Sequence, residues 1–389
     1  MEEKFIPLSV PNIRGNEIKY VTSALEAEWV STGGAMINRF EQDIAEYVRA
    51  DGAAACQSGT AGIHMALHYL GVGAGDAVIV PALTFIAAVN PVRYEGAEPI
   101  FMDCDGSLCM DPVKLGEFLE KECEMKDGGA VYHTPSGRRI RAIVVVHIFG
   151  NMADMESITK IAAEYGIPVV EDATEALGTY YTDGKYKGKF AGTIGNIGVY
   201  SFNGNKIITT GGGGMVVSDD GTALDTIKYL STQAKDDAAH FIHNDVGYNY
   251  RMTNIQAAIG VAQLERLEEF VEIKKRNYLR YKAGIEEIKG AKLLGFRPDI
   301  RPNYWFYSLY LQDGTADKQA VIDGLAQRGI QSRPIWGLIP EQKPYSGSVG
   351  YRLEVCRKYY ERVVNIPCSS NLSEADVDRV LDALRAILG

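Results

Sequence analysis

The sequence contains no long apolar run, no dense block of basic residues and no closely paired cysteines, and each absence excludes a class of protein. The longest apolar stretch, around residues 142–146, is far shorter than the roughly 20 residues of a transmembrane helix. The net charge of −10 disfavours a nucleic-acid surface or a polybasic membrane anchor. The first residues, MEEKFIPLSV, lack the apolar core of a signal peptide. We therefore expect no membrane partner and no nucleic-acid partner.

The cysteine pattern and the length of the chain narrow the class of protein further. The six cysteines are scattered without C-x-x-C spacing. This pattern favours reduced thiols in the cytoplasm over a disulfide framework or a zinc site, so we expect no metal. The 46% of hydrophobic and 23% of charged residues are typical of a folded globular protein. The length of 389 residues predicts two domains, which we place at residues 1–270 and 271–389.

Short apolar, β-branched runs alternate with helical patterns between about residues 53 and 220. Several runs are apolar at consecutive positions, which indicates strands that helices cover on both faces. Helical connectors between such strands predict a mainly parallel, doubly wound α/β sheet. The predicted strands are 77–80, 99–103, 140–146, 167–171, 197–202 and 214–218.

Two features flank or interrupt this pattern in the first half of the chain. An amphipathic helix is predicted near the N-terminus, with Ile18, Val21 and Leu25 on one apolar face. Residues 124–139 are polar and glycine-rich and predict a hairpin-type insertion before the next strand.

The last third of the chain has a helical pattern that leads into the second domain. One long helix is predicted from about residue 254 to residue 288, followed by a strand over 305–311. A C-terminal helix is predicted to begin after Ser373, which would cap it together with Asp376 three residues further on.

Ligands of open α/β sheets bind beyond the carboxyl ends of the strands, so polar residues at these ends are candidates for a site. The first candidate is the segment Ser58-Gly59-Thr60-Ala61, at the start of an apolar helix. Small residues there leave backbone N–H groups free to bind an anion, and the hydroxyls add donors. Taken alone, an ordinary helix cap explains this segment better.

The other two candidates follow later strands. A carboxylate at Glu171-Asp172 could pair with a cationic ring nitrogen or a metal, although a helix N-cap is again the simpler explanation in isolation. Lys206 follows a strand and a tight Asn-Gly turn and precedes the four glycines 211–214. A lysine held on rigid backbone suits a nucleophilic amine, whereas the alternative is a surface lysine beside a flexible loop.

Together these residues match the requirements of pyridoxal phosphate. That cofactor needs a lysine for a Schiff base, an acid that keeps its pyridine nitrogen protonated, and donors for its phosphate. Lys206, Asp172 and the helix start at 58–61 with Ser201 would supply all three.

Here the sequence resembles the DegT/DnrJ/EryC1/StrS family of sugar aminotransferases over nearly its whole length. The resemblance implies the type I, aspartate-aminotransferase-like fold, with a large domain around a mainly parallel sheet and a smaller α+β C-terminal domain. The matching segments are Trp29-Val-Ser-Thr-Gly-Gly, Ser58-Gly-Thr-Ala, Pro81-Ala-Leu-Thr-Phe85, Val146-His-Ile-Phe-Gly150, Glu171-Asp-Ala, Ser201-Phe-x-x-x-Lys206, Gly247-Tyr-Asn-Tyr-Arg-Met252 and Asn254-Ile-Gln-Ala-Ala.

The resemblance implies roles for the cofactor-binding residues. Lys206 would form the covalent link to the cofactor and then move the proton during the reaction, and Asp172 would bind the pyridinium nitrogen. Thr60, the amide of Ala61, and Ser201 would hold the phosphate.

The same resemblance implies an aromatic contact and a second subunit. Phe85 would stack on the ring of the cofactor, with simple core packing as the alternative. Asn249 would reach the phosphate of the neighbouring subunit, so the active unit is expected to be a homodimer. His147 matches a family position, and we interpret it as structural.

The substrate is expected to be a nucleotide-linked sugar, with glutamate as amino donor and 2-oxoglutarate as its product. Residues of the 29–33 link (Trp29, Ser31 and Thr32) and of the segment from Arg333 to Trp336 are the candidates for binding it.

Two positions depart from the family pattern. Gly212 stands where the family usually has Glu, and Glu175 stands where Gln or His is common. An ionised Glu175 cannot donate a hydrogen bond to the cofactor's phenolic oxygen, so it must be protonated, bridge through water or turn toward the substrate amine.

These two variants and the 124–139 insertion resemble the subgroup that aminates C4 of a nucleotide-linked 4-keto-6-deoxy-N-acetylhexosamine in legionaminic acid biosynthesis. The alternatives are a perosamine-type sugar nucleotide as substrate, or a non-catalytic nucleotide- or cofactor-binding regulatory protein of the same fold. A dehydratase of the same fold is disfavoured, because that branch has His at the position of Lys206.

Overall fold

The computed structural model describes residues 4–126, 128–237 and 239–389. The helices are α1 (Glu17–Glu26), α2 (Ala35–Val48), α3 (Gly59–Tyr69), α4 (Asn90–Tyr94), α5 (Pro112–Glu122), α6 (Met155–Glu164), α7 (Gly221–Ser231), α8 (Asn254–Leu264), α9 (Leu267–Glu286), α10 (Lys318–Ala326), α11 (Glu354–Arg362) and α12 (Glu374–Leu388). The strands are β1 (Gly52–Cys56), β2 (Asp76–Pro81), β3 (Glu98–Met102), β4 (Cys123–Met125), β5 (Val131–His133), β6 (Arg138–Val146), β7 (Val169–Asp172), β8 (Tyr180–Tyr181), β9 (Ile197–Ser201), β10 (Gly214–Ser218), β11 (Lys235–Asp237), β12 (Ile242–His243), β13 (Ala291–Leu293), β14 (Ile300–Arg301), β15 (Tyr307–Leu311), β16 (Arg333–Pro334), β17 (Gly350–Tyr351) and β18 (Val363–Ile366).

The central sheet has the strand order β1-β10-β9-β7-β6-β2-β3-β17. Neighbours from β9 to β17 pair in parallel, and β10 runs antiparallel to both β1 and β9. The strands are buried almost throughout, because helices cover the sheet. The predicted α/β class with a mainly parallel sheet is confirmed.

The strand register brings the candidate residues to one edge of this sheet. Because β10 is antiparallel, its first residue, Gly214, lies opposite the last residues of its neighbours, Cys56 and Ser201. On the other side of β9, Asp172 lies opposite both Val146 and Val199. The carboxyl ends of β1, β6, β7 and β9 therefore meet where the glycine run enters β10.

The insertion forms an antiparallel arm, as its composition predicts. β4 pairs with β5, and β5 pairs with the first residues of β6. The arm therefore adds two short antiparallel strands beside the start of β6. Asp127, which belongs to the predicted insertion, lies outside the described residues.

A second sheet with the order β13-β15-β18-β16 forms in the C-terminal part of the chain. Helix α12 packs against α9 and α10 beside it. Ser373 accepts the N–H of Asp376, whose side chain in turn accepts the N–H of Ser373, so the predicted capping box is present. The second sheet supports a smaller C-terminal unit, and the boundary near residue 270 stays a prediction.

The single helix predicted from residue 254 to residue 288 is wrong in one respect, since the chain forms α8 and α9 with a break at Glu265 and Arg266. Arg266 has φ −115° and ψ 4°, which ends the helical hydrogen bonding. The side chain of Glu265 is held by Asn16 and Tyr20, and Arg266 turns to Glu269. Neither Gly nor Pro marks the break. No helix in the described ranges is both long enough and apolar enough to cross a membrane.

The N-terminal helix forms as predicted, but its apolar face does not pack into the chain. The buried residues of α1 are Glu17 and Ala24, whereas Ile18 is 80% exposed and Leu25 is more than half exposed. Glu17 is buried because it accepts hydrogen bonds from the side chain of Gln263 and the backbone N–H of Gly15.

Candidate active site

A cavity of about 370 Å³ lies at the edge of the sheet where the strand ends meet. Its walls come from the start of α3, the ends of β6, β7 and β9, the glycine run and the C-terminal part of the chain. The lining residues are Ser58, Gly59, Thr60, Ile63, Thr84, Phe85, Ala87, Ala88, Val146, Asp172, Thr174, Glu175, Ser201, Asn203, Asn205, Lys206, Gly212, Gly213, Trp305 and Trp336.

Lys206 projects into this cavity from the turn after β9. Its backbone N–H donates to the carbonyl of Asn203, and its side chain is only 12% exposed. The ammonium Nζ lies 3.6 Å from Oε1 of Glu175 and 4.3 Å from the ring centroid of Trp305. These contacts exclude the alternative of a surface lysine beside a flexible loop.

Glu175 is a buried acid beside this amine. Its Oε2 accepts the backbone N–H of Phe149 at 2.8 Å, and Phe149 adopts a left-handed backbone with φ 57° in the turn after β6. Burial raises the pKa of Glu175 to about 7, although the charge of Lys206 and the Phe149 N–H both favour the ionised form. Glu175 can therefore hold or release a proton near neutral pH.

Asp172 lies at the end of β7 on the floor of the cavity. Its Oδ1 accepts the N–H of Thr174 at 3.0 Å, and a turn follows it, so the alternative of a helix N-cap does not apply. Burial raises the pKa of Asp172, and the hydrogen bonds from Thr174 and the charge of Lys206 oppose this in part. A buried carboxylate of this kind is stabilised by a cationic group brought into the cavity.

The start of α3 forms another wall. Ser58 is the N-cap and accepts the N–H of Ala61 at 3.1 Å, so the cap explanation holds for its hydroxyl. The N–H groups of Gly59 and Thr60 belong to the first turn and have no acceptor within the helix. A Cβ at Gly59 would lie 2.8 Å from Cγ2 of Thr174 and 3.1 Å from Cβ of Ser201. Only glycine lets the helix start lie this close to β9.

The glycine run closes the cavity below α3. A Cβ at Gly214 would lie 2.5 Å from the carbonyl carbon of Ser58, and Gly211 has φ 81°. The run therefore combines a left-handed turn with close packing of β10 against the helix start, and neither feature tolerates a side chain.

Three aromatic side chains border the space around Lys206. Phe85 is 54% exposed and faces the cavity, so core packing does not explain it. The indole N–H of Trp305 donates to the carbonyl of Asn205, one residue before the lysine. Trp336 packs on Phe149, with ring centroids 4.6 Å apart.

His147 supports this site from behind. It is fully buried, and its Nδ1 accepts the N–H of Ala153, so Nε2 carries the proton and donates to Glu171 at 2.8 Å. Glu171 also accepts backbone N–H groups of Gly192 and Ile194. Burial would raise the pKa of Glu171, but these hydrogen bonds outweigh it and lower that pKa. This geometry fits the structural role expected of His147.

Comparison with known proteins identifies the family. A family model described as the DegT/DnrJ/EryC1/StrS aminotransferase family matches residues 11–385. The chain belongs to this family. EpsN of Bacillus subtilis (strain 168), whose name describes a pyridoxal phosphate-dependent aminotransferase, is 38% identical over 98% of this chain and 95% of its own length. GDP-perosamine synthase of Caulobacter vibrioides is 36% identical over 98% of both chains.

A solved structure agrees with this assignment. The aminotransferase TlmJ from Streptoalloteichus hindustanus superposes with a TM-score of 0.86 at 26% identity, over 98% of both chains. As a member of the DegT/DnrJ/EryC1/StrS family the protein is a pyridoxal-phosphate-dependent aminotransferase, and the family and its relatives support action on sugars.

The cavity fits the cofactor of the DegT/DnrJ/EryC1/StrS family. It holds one lysine amine, one buried carboxylate that lacks a full counter-charge, and a helix start with first-turn N–H groups beside Ser201. These are the donors, the acid and the nucleophile that pyridoxal phosphate requires.

Several residues expected to bind sugar or cofactor lie elsewhere in the single chain. Asn249 is exposed and forms a backbone bridge with Thr232. Trp29 and Thr32 line a separate cavity of about 600 Å³ between α1 and the start of α2. Ser31 accepts the N–H of Asn254 through its carbonyl, and Arg333 is exposed on β16. Of the substrate candidates, only Trp336 lines the cavity of Lys206.

Sequence reasoning gave no site role to several of the lining residues, among them Thr84, Thr174, Asn203, Asn205 and Trp305. Asn203 and Asn205 lie in the motif around Lys206, and Thr84 directly precedes Phe85. Their position beside predicted site residues is the signal that could have identified them. Trp305 has no such signal, because about a hundred residues separate it from Lys206.

Proposed function

We propose that the protein transfers an amino group from glutamate to C4 of a nucleotide-linked 4-keto-6-deoxy sugar. The observation that carries this proposal is the position of the Lys206 amine, which lies in one enclosed cavity with the buried carboxyls of Asp172 and Glu175. A lysine amine beside an acid of pKa about 7 suits a group that must gain and lose protons at neutral pH.

In this proposal Lys206 would hold the cofactor covalently, and its amine would move a proton to and from the reacting carbon. Pyridoxal phosphate would supply a ring that withdraws electrons and stabilises negative charge on that carbon. Asp172 would keep the ring nitrogen protonated, and Phe85 would contact the ring.

The phosphate is assigned to the start of α3. The N–H groups of Gly59 and Thr60 lie at the positive end of the helix dipole, and the hydroxyls of Ser58 and Ser201 lie beside them. The amide of Ala61 donates to Ser58 in this structure, so it would exchange that hydrogen bond for one to the phosphate. The aromatic rings of Trp305 and Trp336 exclude water from the side of Lys206 and present apolar faces to a sugar ring.

A homodimer with shared active sites is part of the proposal. Asn249 is exposed and does not line the cavity of its own chain, which supports its expected role at the phosphate of a neighbouring subunit. Trp29, Ser31 and Thr32 likewise need a second copy to reach a sugar nucleotide. Arg333 is exposed, which suits contact with a diphosphate near the mouth of the cavity.

Two sugar substrates are supported by different observations. Glu175, Gly212 and the 124–139 arm resemble the legionaminic acid subgroup, which favours a UDP- or GDP-linked 4-keto-6-deoxy-N-acetylhexosamine. The relative named GDP-perosamine synthase favours a GDP-linked perosamine-type precursor instead.

The cofactor assignment is tested by reduction of the purified protein. We expect a yellow protein that bleaches on treatment with borohydride and retains the label on Lys206, whereas Lys206→Ala neither bleaches in this way nor transfers amino groups. A colourless wild-type protein that gains nothing from added pyridoxal phosphate would favour the non-catalytic regulatory alternative.

The substrate is tested with a panel of 4-keto sugar nucleotides and glutamate, with formation of 2-oxoglutarate as the readout. Turnover of N-acetylated 4-keto hexoses supports the legionaminic assignment. Turnover of only the GDP-linked sugar without an N-acetyl group would transfer the assignment to the perosamine type.

A further inference from the structure

A cluster of titratable side chains that do not line the cavity forms around two histidines of α3. It consists of His64, His68, Glu95, Tyr248 and Tyr250. Oε1 of Glu95 lies 3.0 Å from Nε2 of His64 and 3.2 Å from Nδ1 of His68. The carboxylate can only accept, so both histidines donate to it. Glu95 and His64 are nearly buried, which makes these hydrogen bonds strong.

The histidines in turn hold the two tyrosines. The rings of Tyr248 and Tyr250 are stacked, with centroids 4.9 Å apart and planes 12° apart, and His64 packs 4.8 Å from Tyr248. The hydroxyl of Tyr250 lies 3.4 Å from Nδ1 of His64, which accepts because Nε2 carries the proton. Nδ1 of His68 carries the proton given to Glu95, so it cannot accept from the hydroxyl of Tyr248, and His68 instead packs edge-on against the ring of Tyr248, with centroids 6.0 Å apart.

The two tyrosines flank Asn249. Side chains alternate along an extended backbone, so two rings on one side place the side chain of Asn249 on the other. Asn249 is accordingly exposed. The cluster therefore orients the side chain of Asn249 without contacting it.

Backbone contacts hold the same segment in place without fixing its side chains. The N–H of Tyr248 donates to the carbonyl of Leu230 at 2.7 Å, and the N–H of Gln57 donates to the carbonyl of Tyr250 at 2.7 Å. A Cβ at Gly247 would lie 2.2 Å from the backbone nitrogen of Ala234. The segment is thus clamped between the end of α7 and the end of β1.

A metal site does not explain the cluster, since in the part of the chain that the structure describes no group of three His, Cys, Asp or Glu side chains is arranged to hold an ion. We propose that His64, His68 and Glu95 form a positioning cluster that holds Tyr248 and Tyr250 and thereby directs Asn249 toward the phosphate site of a second copy of this chain. This inference rests on the proposed function, which assigns that phosphate to Asn249.

The test begins with Glu95→Gln, which keeps the shape of the side chain but removes its charge. We expect the Kd for pyridoxal phosphate to rise about tenfold, as for the loss of a hydrogen bond to a charged group. The variant should still fold and sediment as the wild type does, although the lost hydrogen bonds lower its unfolding temperature. Glu98→Gln is the matched control, because Glu98 pairs with Arg93 and does not contact the cluster, and its Kd should stay unchanged. If Glu95→Gln fails to fold, Tyr250→Phe replaces it, with a smaller increase in Kd.

Mixed dimers separate positioning in the partner from support of the chain's own α3. When Glu95→Gln subunits are combined with Lys206→Ala subunits, the only lysine able to bind cofactor lies in the Glu95→Gln chain. The Asn249 that serves this site belongs to the Lys206→Ala chain, whose cluster is intact. We expect the visible absorbance of lysine-bound cofactor to titrate in the mixed dimer with the wild-type Kd.

Two results would overturn the positioning role. One is a mixed dimer that binds cofactor as weakly as Glu95→Gln alone, and the other is an equal Kd for Glu95→Gln and wild type. Failure of the proposed function gives a different result, namely that borohydride labels no Lys206 in the wild-type protein at any cofactor concentration.

Discussion

The carboxyl of Glu175 can act beside Lys206 either as a protonated hydrogen-bond donor or as an ionised partner of the amine. Its Oε1 lies 3.6 Å from the Lys206 amine, while its Oε2 accepts a backbone N–H. Burial raises its pKa from 4.5 to about 7. The protonated form can donate to an oxygen of the cofactor, and the ionised form pairs with the lysine, so a change of pH near neutrality moves the residue between these states.

This raised pKa predicts a stability difference that depends on pH. The native state binds the Glu175 proton more tightly than the unfolded chain, so its stabilising contribution is complete below pH 4.5 and lost as the pH rises through about 7. The Glu175→Gln variant has no carboxyl at this position, so its stability does not fall in this way as the pH rises. From about pH 4 to about pH 8, the unfolding free energy of Glu175→Gln should therefore gain about 3 kcal/mol relative to wild type, at about 1.4 kcal/mol for each unit of pKa shift.

Urea unfolding of the cofactor-free proteins at a series of pH values measures this difference. The control is Glu124→Gln, which removes one charge from a half-exposed position on β4. Parallel pH profiles for wild type and Glu175→Gln would contradict the raised pKa.

The sequence predicted those site residues whose place follows from the backbone. Asp172 and Ser201 end parallel strands and Lys206 follows one of them directly, so sheet topology alone brings them together. Trp305 could not be found this way. Its contact with Lys206 depends on how the C-terminal part of the chain packs, and that packing leaves no local pattern in the sequence.

In the glycine run that leads into β10, neighbouring positions differ in whether they can accept a residue with a side chain. Gly213 has φ 155°, and a Cβ there would lie 2.4 Å from Oγ1 of Thr210 and 2.8 Å from Cε of Met252. At Gly212 the backbone is outside the left-handed region and the nearest atom to a Cβ is Nε2 of Gln256, at 3.8 Å. The position where the family usually has Glu is therefore open to a side chain.

Two alanine substitutions in this run should differ in stability. Gly213→Ala should cost at least about 2 kcal/mol, because it combines backbone strain with a steric clash. Gly212→Ala should change stability by less than about 1 kcal/mol, since it only reduces the freedom of the unfolded chain. Denaturant unfolding of the two variants measures this, and equal losses would show that the run needs glycine at both positions.

The helices show where periodicity predicts an element and where it does not. Apolar spacing continues from α8 into α9, so it predicted one helix, but the chain breaks at Glu265 and Arg266, where Glu265 accepts hydrogen bonds from distant residues such as Tyr20. In α1 the spacing predicted the helix correctly, but Ile18 and Leu25 of its apolar face are exposed in this chain. Periodicity identifies an apolar face without showing whether its own chain or another covers it.

At the scale of the whole molecule, several exposed apolar side chains lie on elements that the cavity does not use. Ile18 and Leu25 on α1 are exposed, and so are Phe241 and Val246 near the hairpin of β11 and β12. The chain that follows this hairpin carries Asn249. Burial of these groups against a second copy would remove apolar surface from water and bring Asn249 to a neighbouring site, so in the proposed dimer assembly would favour cofactor binding.

The dimer is tested by placing a charge in this apolar surface. Val246 is 78% exposed in the chain, so Val246→Asp should leave the fold of one subunit unchanged. In a dimer the new carboxylate would be buried without a partner, which costs several kcal/mol and shifts the protein toward monomers. We expect sedimentation to show this shift and the Kd for pyridoxal phosphate to rise at the same time. Val113→Asp, at a position of α5 that is 68% exposed, is the matched control and should change neither quantity. A wild-type protein that sediments as a monomer yet binds the cofactor tightly would remove Asn249 from the phosphate site.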